Sequence, residues 1–151
     1  MAPFNGTCNC GAISTESPKM PDICVKGHCQ SCRVSSGGLF SAIFPVLMKD
    51  MTIHGKPKVY VDRDTTPGKP VNHNFCADCG CLPTVAHSDR QLITNTHSTI
   101  LSTTESENHE TGYVKGGLFT KAGFALPPPG AEIFWHRREK WEKPTEGVER
   151  Q

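Results

Sequence analysis

The chain has 151 residues, 16 basic and 15 acidic side chains and a formal net charge of +1, and Val, Ile, Leu and Phe together supply 30 residues, about one fifth. That length favours one domain, the charge balance excludes the basic footprint of a nucleic-acid binder, and no apolar run approaches the roughly 18 residues of a membrane helix. So few large apolar residues, in a chain with balanced charge and 8 Cys, point to a fold held by something besides its core.

In chain order, residues 1–6 lack the basic and apolar regions of a secretory signal. The cysteines therefore read as thiols or metal ligands rather than disulfides, and the chain as cytoplasmic. Residues 39–47 are apolar and rich in strand formers, and Pro45 predicts a strand with a break there. Residues 51–54, 58–61, 71–75, 91–94 and 131–135 are short, β-prone and mostly alternating, with turn residues such as Gly55, Lys56 and Pro57 between some of them. The pattern predicts an antiparallel β fold. Residues 96–107 are Ser/Thr-rich and read as a loop. The tail after Trp141 reads as a surface segment, with a domain over 1–147 and a frayed end at 148–151.

Cys8 and Cys10 precede Gly11, and Cys76 and Cys79 precede Gly80. A tight Cys-x-x-Cys-Gly turn points two sulfurs at one centre, and a second thiolate pair completes the tetrahedron that zinc prefers. These four cysteines predict a closed, structural zinc site, whose binding contributes on the order of 10 kcal/mol to folding.

Cys29 and Cys32 have the same spacing, but Cys24 and Cys81 are the thiols left over, so a second four-thiolate site cannot close. An incomplete site suits a catalytic zinc, which keeps a position open for water or substrate. Candidates for its third ligand are Cys24, His28 and Cys81, in that order. The alternative is a dithiol without metal. Redox dithiols sit at a helix start after a strand, and Gly37 and Gly38 argue against a long helix here.

The run Gly6, Thr7, Cys8, Asn9, Cys10, Gly11, then His28, Cys29, Gln30, Ser31, Cys32, Arg33, then Ser36, Gly37, Gly38 and Phe40, then Phe75, Cys76, Ala77, Asp78, Cys79, Gly80, resembles the glutathione-dependent formaldehyde-activating enzyme family, also called the centromere protein V family. The similarity continues through Pro129, Gly130, Glu132, Ile133 and Phe134 to Trp141. The resemblance implies a β-tent fold of coiled antiparallel sheets, one structural zinc on Cys8, Cys10, Cys76 and Cys79, and a catalytic zinc on Cys29, Cys32 and a cysteine just before the His. This chain has Gly27 at that last position. Either Cys24 substitutes, or two thiolates hold the metal, or the site has changed function.

The resemblance implies carbon-sulfur lyase-like chemistry on a thiol adduct of a small molecule. Glutathione is the possible co-substrate, and Arg33 or Lys115 would hold a substrate carboxylate. Read from the residues alone, Arg33 is equally an ordinary surface arginine and Lys115 a solvated loop residue. A second enzyme reading is a glutathione-independent lyase, decarboxylase or isomerase with His28 as general base and His73 as the next candidate. His54, His87, His97, His109 and His136 read as surface or hydrogen-bonded residues. The non-enzyme reading is a zinc-stapled binding module. The expected partner is a small molecule, with no nucleic acid and no membrane, and the sequence leaves the oligomeric state open.

Overall fold

The computed structural model of the chain describes residues 4–65, 68, 70–81, 84–87 and 111–151. The strand expected at 91–94 and the loop at 96–107, with His97 and His109, lie outside them. The described residues form two sheets. In the smaller, β1 (Phe4–Thr7), β2 (Ser14–Ser17) and β5 (Thr52–His54) pair antiparallel in the order β1-β2-β5.

The larger sheet contains β3 (Cys24–Gly27), β4 (Ser41–Leu47), β6 (Lys58–Asp62), β7 (Val71–Phe75), β8 (Thr84–His87), β9 (Thr111–Lys115), β10 (Pro129–Ile133) and β11 (Glu149–Arg150). Their order is β11-β10-β3-β4-β9-β8-β7-β6. The mainly β architecture agrees with the expectation, and the strands expected at 51–54, 58–61 and 71–75 are β5, β6 and β7. The sheet is not wholly antiparallel, because β10 runs parallel to both β3 and β11.

Three local expectations are corrected. First, β4 runs unbroken through Pro45, which sits opposite Tyr113 of β9. The β3 ladder stops at Ile43, so at Pro45 the strand has one paired flank, where a residue without an N–H is tolerated.

Second, the last of the expected strands ends at Ile133 rather than 135, because Phe134 takes φ +56 and starts a 3-10 turn over Trp135–Arg137. Third, the expected frayed end is fastened. The Trp135 N–H donates to the Gln151 carbonyl, and the Gln151 N–H to the Glu132 carbonyl, both at 2.9 Å. Glu132 is fully buried and accepts from Lys26 Nζ at 2.9 Å and Thr145 Oγ1 at 2.8 Å. A buried charge is retained only where it is paired and hydrogen-bonded, and these contacts clamp residues 145–151 to the sheet.

Two short helices escape the sequence patterns, α1 (Gln30–Ser36) and α2 (Gly117–Lys121). Phe119 of α2 is fully buried and joins the sheets: its ring stacks on Phe4 of β1 at 4.1 Å and meets Phe44 of β4 edge-on at 5.5 Å. Ile13, Ile53, Met48, Met51, Val114, Leu118 and the Cys8, Cys24 and Cys76 side chains complete this core. Its membership is small, and cysteines carry part of the packing.

Candidate functional site

The four sulfurs of Cys8, Cys10, Cys76 and Cys79 lie within 4.8 Å of one another. Cys8 follows β1 and Cys76 follows β7, so the cluster ties the smaller sheet to the larger. Each half is a tight turn. Gly11 N–H donates to the Cys8 carbonyl at 3.2 Å and Gly80 N–H to the Cys76 carbonyl at 2.9 Å. Both glycines take the left-handed conformation, φ +81 and +70, which these turns require.

Cys8 Sγ stands 3.6 Å from Cys10 Sγ, and Cys10 Sγ 3.5 Å from Cys76 Sγ. Thiolates around a tetrahedral zinc at about 2.3 Å stand about 3.8 Å apart, so the donor set fits zinc. Cys8 also accepts from the Ile13 N–H at 3.3 Å, the outer contact that orients a thiolate ligand. Cys8 and Cys76 are buried, Cys79 is half-buried and Cys10 is exposed, so the metal would sit at the edge of the core. Cys81 stays outside the cluster, half-buried, and burial pushes its thiol up.

The second thiol group has a different geometry. Cys29 caps the N-terminus of α1 directly after β3, and its sulfur accepts from the Cys32 N–H at 3.2 Å. Gly37, at φ +64, ends the helix in the left-handed conformation, with its N–H and that of Gly38 returning to the Val34 and Arg33 carbonyls. The strand and helix start that a redox dithiol uses are therefore both present, in a helix of only seven residues.

Cys29 Sγ and Cys32 Sγ are 2.8 Å apart, about 1 Å closer than two ligands of one zinc. Cys24 does not join them; it is 4 % exposed and packed in the core, and burial pushes its thiol up. Among the described residues the four-cysteine cluster is the one group of three or more thiol, imidazole or carboxylate donors brought together for a metal. Cys24, Cys29 and Cys32 are not brought together as a ligand set among the described residues.

The contact with Cys32, opposed by burial and helped by the Cys32 N–H and the Lys115 charge, brings the Cys29 thiol down to about 6. The same contact, with burial, raises Cys32 far above the thiol range. Lys115 is not a loop residue. It ends β9, is 9 % exposed, and donates from Nζ to Ser41 Oγ at 2.7 Å and Ser35 Oγ at 3.0 Å. Burial lowers its pKa, and the negative charge of the Cys29–Cys32 pair opposes that shift.

Arg33 is held by residues that follow β10. Its guanidinium pairs with Glu139 and donates to the Arg137 carbonyl at 2.9 Å. His28 is fully buried, edge-on to Trp135 at 5.2 Å, with Nδ1 3.4 Å from Glu142 Oε2 and no hydrogen-bond partner for either ring nitrogen among the described residues. Burial pulls its pKa down, partly offset by Glu142.

His73, the second candidate base, belongs to a polar group on the other side of α1 that the sequence did not assemble. Ser31 Oγ donates to Asp62 Oδ2 at 3.0 Å, and His73 Nε2 faces the same oxygen at 3.4 Å. The three line a cleft of about 690 Å³ with Tyr60, Val34 and Arg137. The register of β6 and β7 sets Tyr60 opposite His73.

Residues 3–116 match the family model described as glutathione-dependent formaldehyde-activating enzyme. No curated protein matches the chain. No helix among the described residues is long and apolar enough to cross a membrane.

Proposed function

From the premise that this chain belongs to the glutathione-dependent formaldehyde-activating enzyme family, we propose that it is a small-molecule enzyme that makes and breaks a carbon-sulfur bond at Cys29. The four-thiolate cluster is assigned to a structural zinc, held by Cys8, Cys10, Cys76 and Cys79, which fixes the two sheets and takes no part in the reaction. The observation that carries the reading is the setting of Cys29: a half-buried sulfur that accepts from a backbone N–H beside the buried Lys115 ammonium, with its thiol brought to about 6. At neutral pH that sulfur is the thiolate, which is the nucleophilic form.

In the forward step the Cys29 thiolate attacks the carbonyl carbon of an aldehyde. The carbon-sulfur bond forms, the carbonyl π bond opens onto oxygen, and the oxygen takes a proton from solvent to give a hemithioacetal. Reversal releases the aldehyde or passes it to a free thiol such as glutathione. Lys115, whose charge lowers the Cys29 thiol, is assigned to favour the thiolate form.

The test uses 13C-labelled formaldehyde and the zinc-loaded protein. We expect a protein-bound hemithioacetal carbon resonance that disappears in Cys29→Ser and persists in Cys81→Ser. A resonance that survives Cys29→Ser, or no adduct at saturating aldehyde, overturns the assignment.

A further inference from the structure

We propose that Cys29 and Cys32 form a dithiol/disulfide centre that exchanges with low-molecular-weight disulfides, a redox activity separate from the carbonyl chemistry although it shares Cys29. Gly27 is the residue that creates it. A β-carbon at position 27 would lie 2.8 Å from Cys32 Sγ, so the sulfur occupies space that any side chain there would claim. With nothing at 27, Cys32 turns inward and meets Cys29 at 2.8 Å, whereas neighbouring sulfurs of the four-thiolate cluster keep 3.5 and 3.6 Å. The difference within one molecule separates a pair set to bond to each other from a set spaced around an ion.

The remaining thiols cannot turn the pair back into a metal site. Cys24 is sealed in the core and Cys81 stands beside the four-cysteine cluster. Placement also fixes the order of events, since the Cys29 sulfur faces the backbone N–H at the helix start and Cys32 sits behind it against Gly27. Cys29 thiolate attacks a disulfide RSSR, expelling one thiolate RS⁻ and leaving a Cys29–SR mixed disulfide. Cys32, losing its proton to solvent or to the departing thiolate, attacks Cys29 Sγ and expels the second RS⁻. The protein dithiol is oxidised by two electrons and RSSR is reduced to two thiols. The closed disulfide has no Cys29 thiolate, so oxidation switches off the carbon-sulfur reaction.

The experiment treats zinc-loaded protein with oxidised glutathione, then alkylates free thiols and maps them by mass spectrometry. Wild type is expected to lose the alkylation of Cys29 and Cys32 together, release two glutathiones per chain and retain its zinc. Cys32→Ser is expected to stop with one glutathione on Cys29, and because no aldehyde is present in this exchange, the result is separate from the proposed carbonyl activity. Gly27→Ala is expected to accumulate the same mixed disulfide, because its methyl pushes Cys32 Sγ aside. Wild type that keeps both thiols alkylable in excess oxidised glutathione overturns the proposal without relying on any variant. Closure of Gly27→Ala as rapid as wild type overturns the role of Gly27.

Discussion

Removing the metal from the Cys8, Cys10, Cys76 and Cys79 cluster is predicted to unfold the domain. Cys10 and Cys76 are 66 residues apart in the chain, and tethering a loop of that length removes about 4 kcal/mol of chain entropy from the unfolded state. Metal-thiolate bonding brings the contribution to on the order of 10 kcal/mol, against the roughly 5–15 kcal/mol by which a domain is stable. The apolar core that would remain is centred on Phe4, Phe44 and Phe119, with cysteines filling gaps between them. The assay is near-UV circular dichroism and urea unfolding before and after chelation, with metal loss verified on the same sample. The expected result is loss of the aromatic signal on chelation, its return on adding zinc, and the same loss in Cys76→Ser. A verified metal-free protein with an unchanged aromatic spectrum and urea midpoint refutes the staple.

Three further outcomes follow from other contacts. Glu132→Ala strands Lys26 and releases Thr145, so it is expected to destabilise the fold by about 3 kcal/mol in urea unfolding and to raise proteolytic cleavage after residue 144; an unchanged midpoint contradicts the clamp. Although burial works against the charged form, the Lys26 and Thr145 contacts hold Glu132 below the ordinary carboxylate value. Its stabilisation is therefore complete above about pH 4.5 and is lost as pH falls through the depressed value. Cys29 is depressed to about 6 from the ordinary thiol value of 9.0, so its thiolate stabilises the fold fully above about pH 9 and that contribution fades as pH falls through about 6. Iodoacetamide labelling of Cys29, followed by peptide mapping, should accordingly rise with a midpoint near pH 6; a midpoint near 9 contradicts the assignment.

The metal cluster was legible in the sequence because short Cys turns with a trailing Gly are local, and their geometry needs no knowledge of the fold. Strands β5, β6 and β7 were legible for the same reason. Helix α1 was not. Its cap is Cys29 rather than Ser, Thr, Asp or Asn, and Gly37, which suggested that no long helix could form, is the residue that ends a short one. The position of Lys115 was hidden because its environment comes from α1 and β4, through Ser35 and Ser41. The contacts of Arg33 and of the tail were not legible, since Glu139 engages the one and Glu132 the other only in the fold. Gly27 was visible as a departure from the family pattern, but its consequence needed coordinates: the space it leaves is taken by the Cys32 sulfur.

In this molecule one thiol cluster is assigned to metal while the other pair is free for sulfur chemistry. Native mass spectrometry of protein purified under reducing conditions with excess zinc, then desalted, tests this directly. One zinc per chain is predicted, unaffected by Cys29→Ser and lost in Cys76→Ser. Two zincs per chain, with one lost in Cys29→Ser, would contradict it.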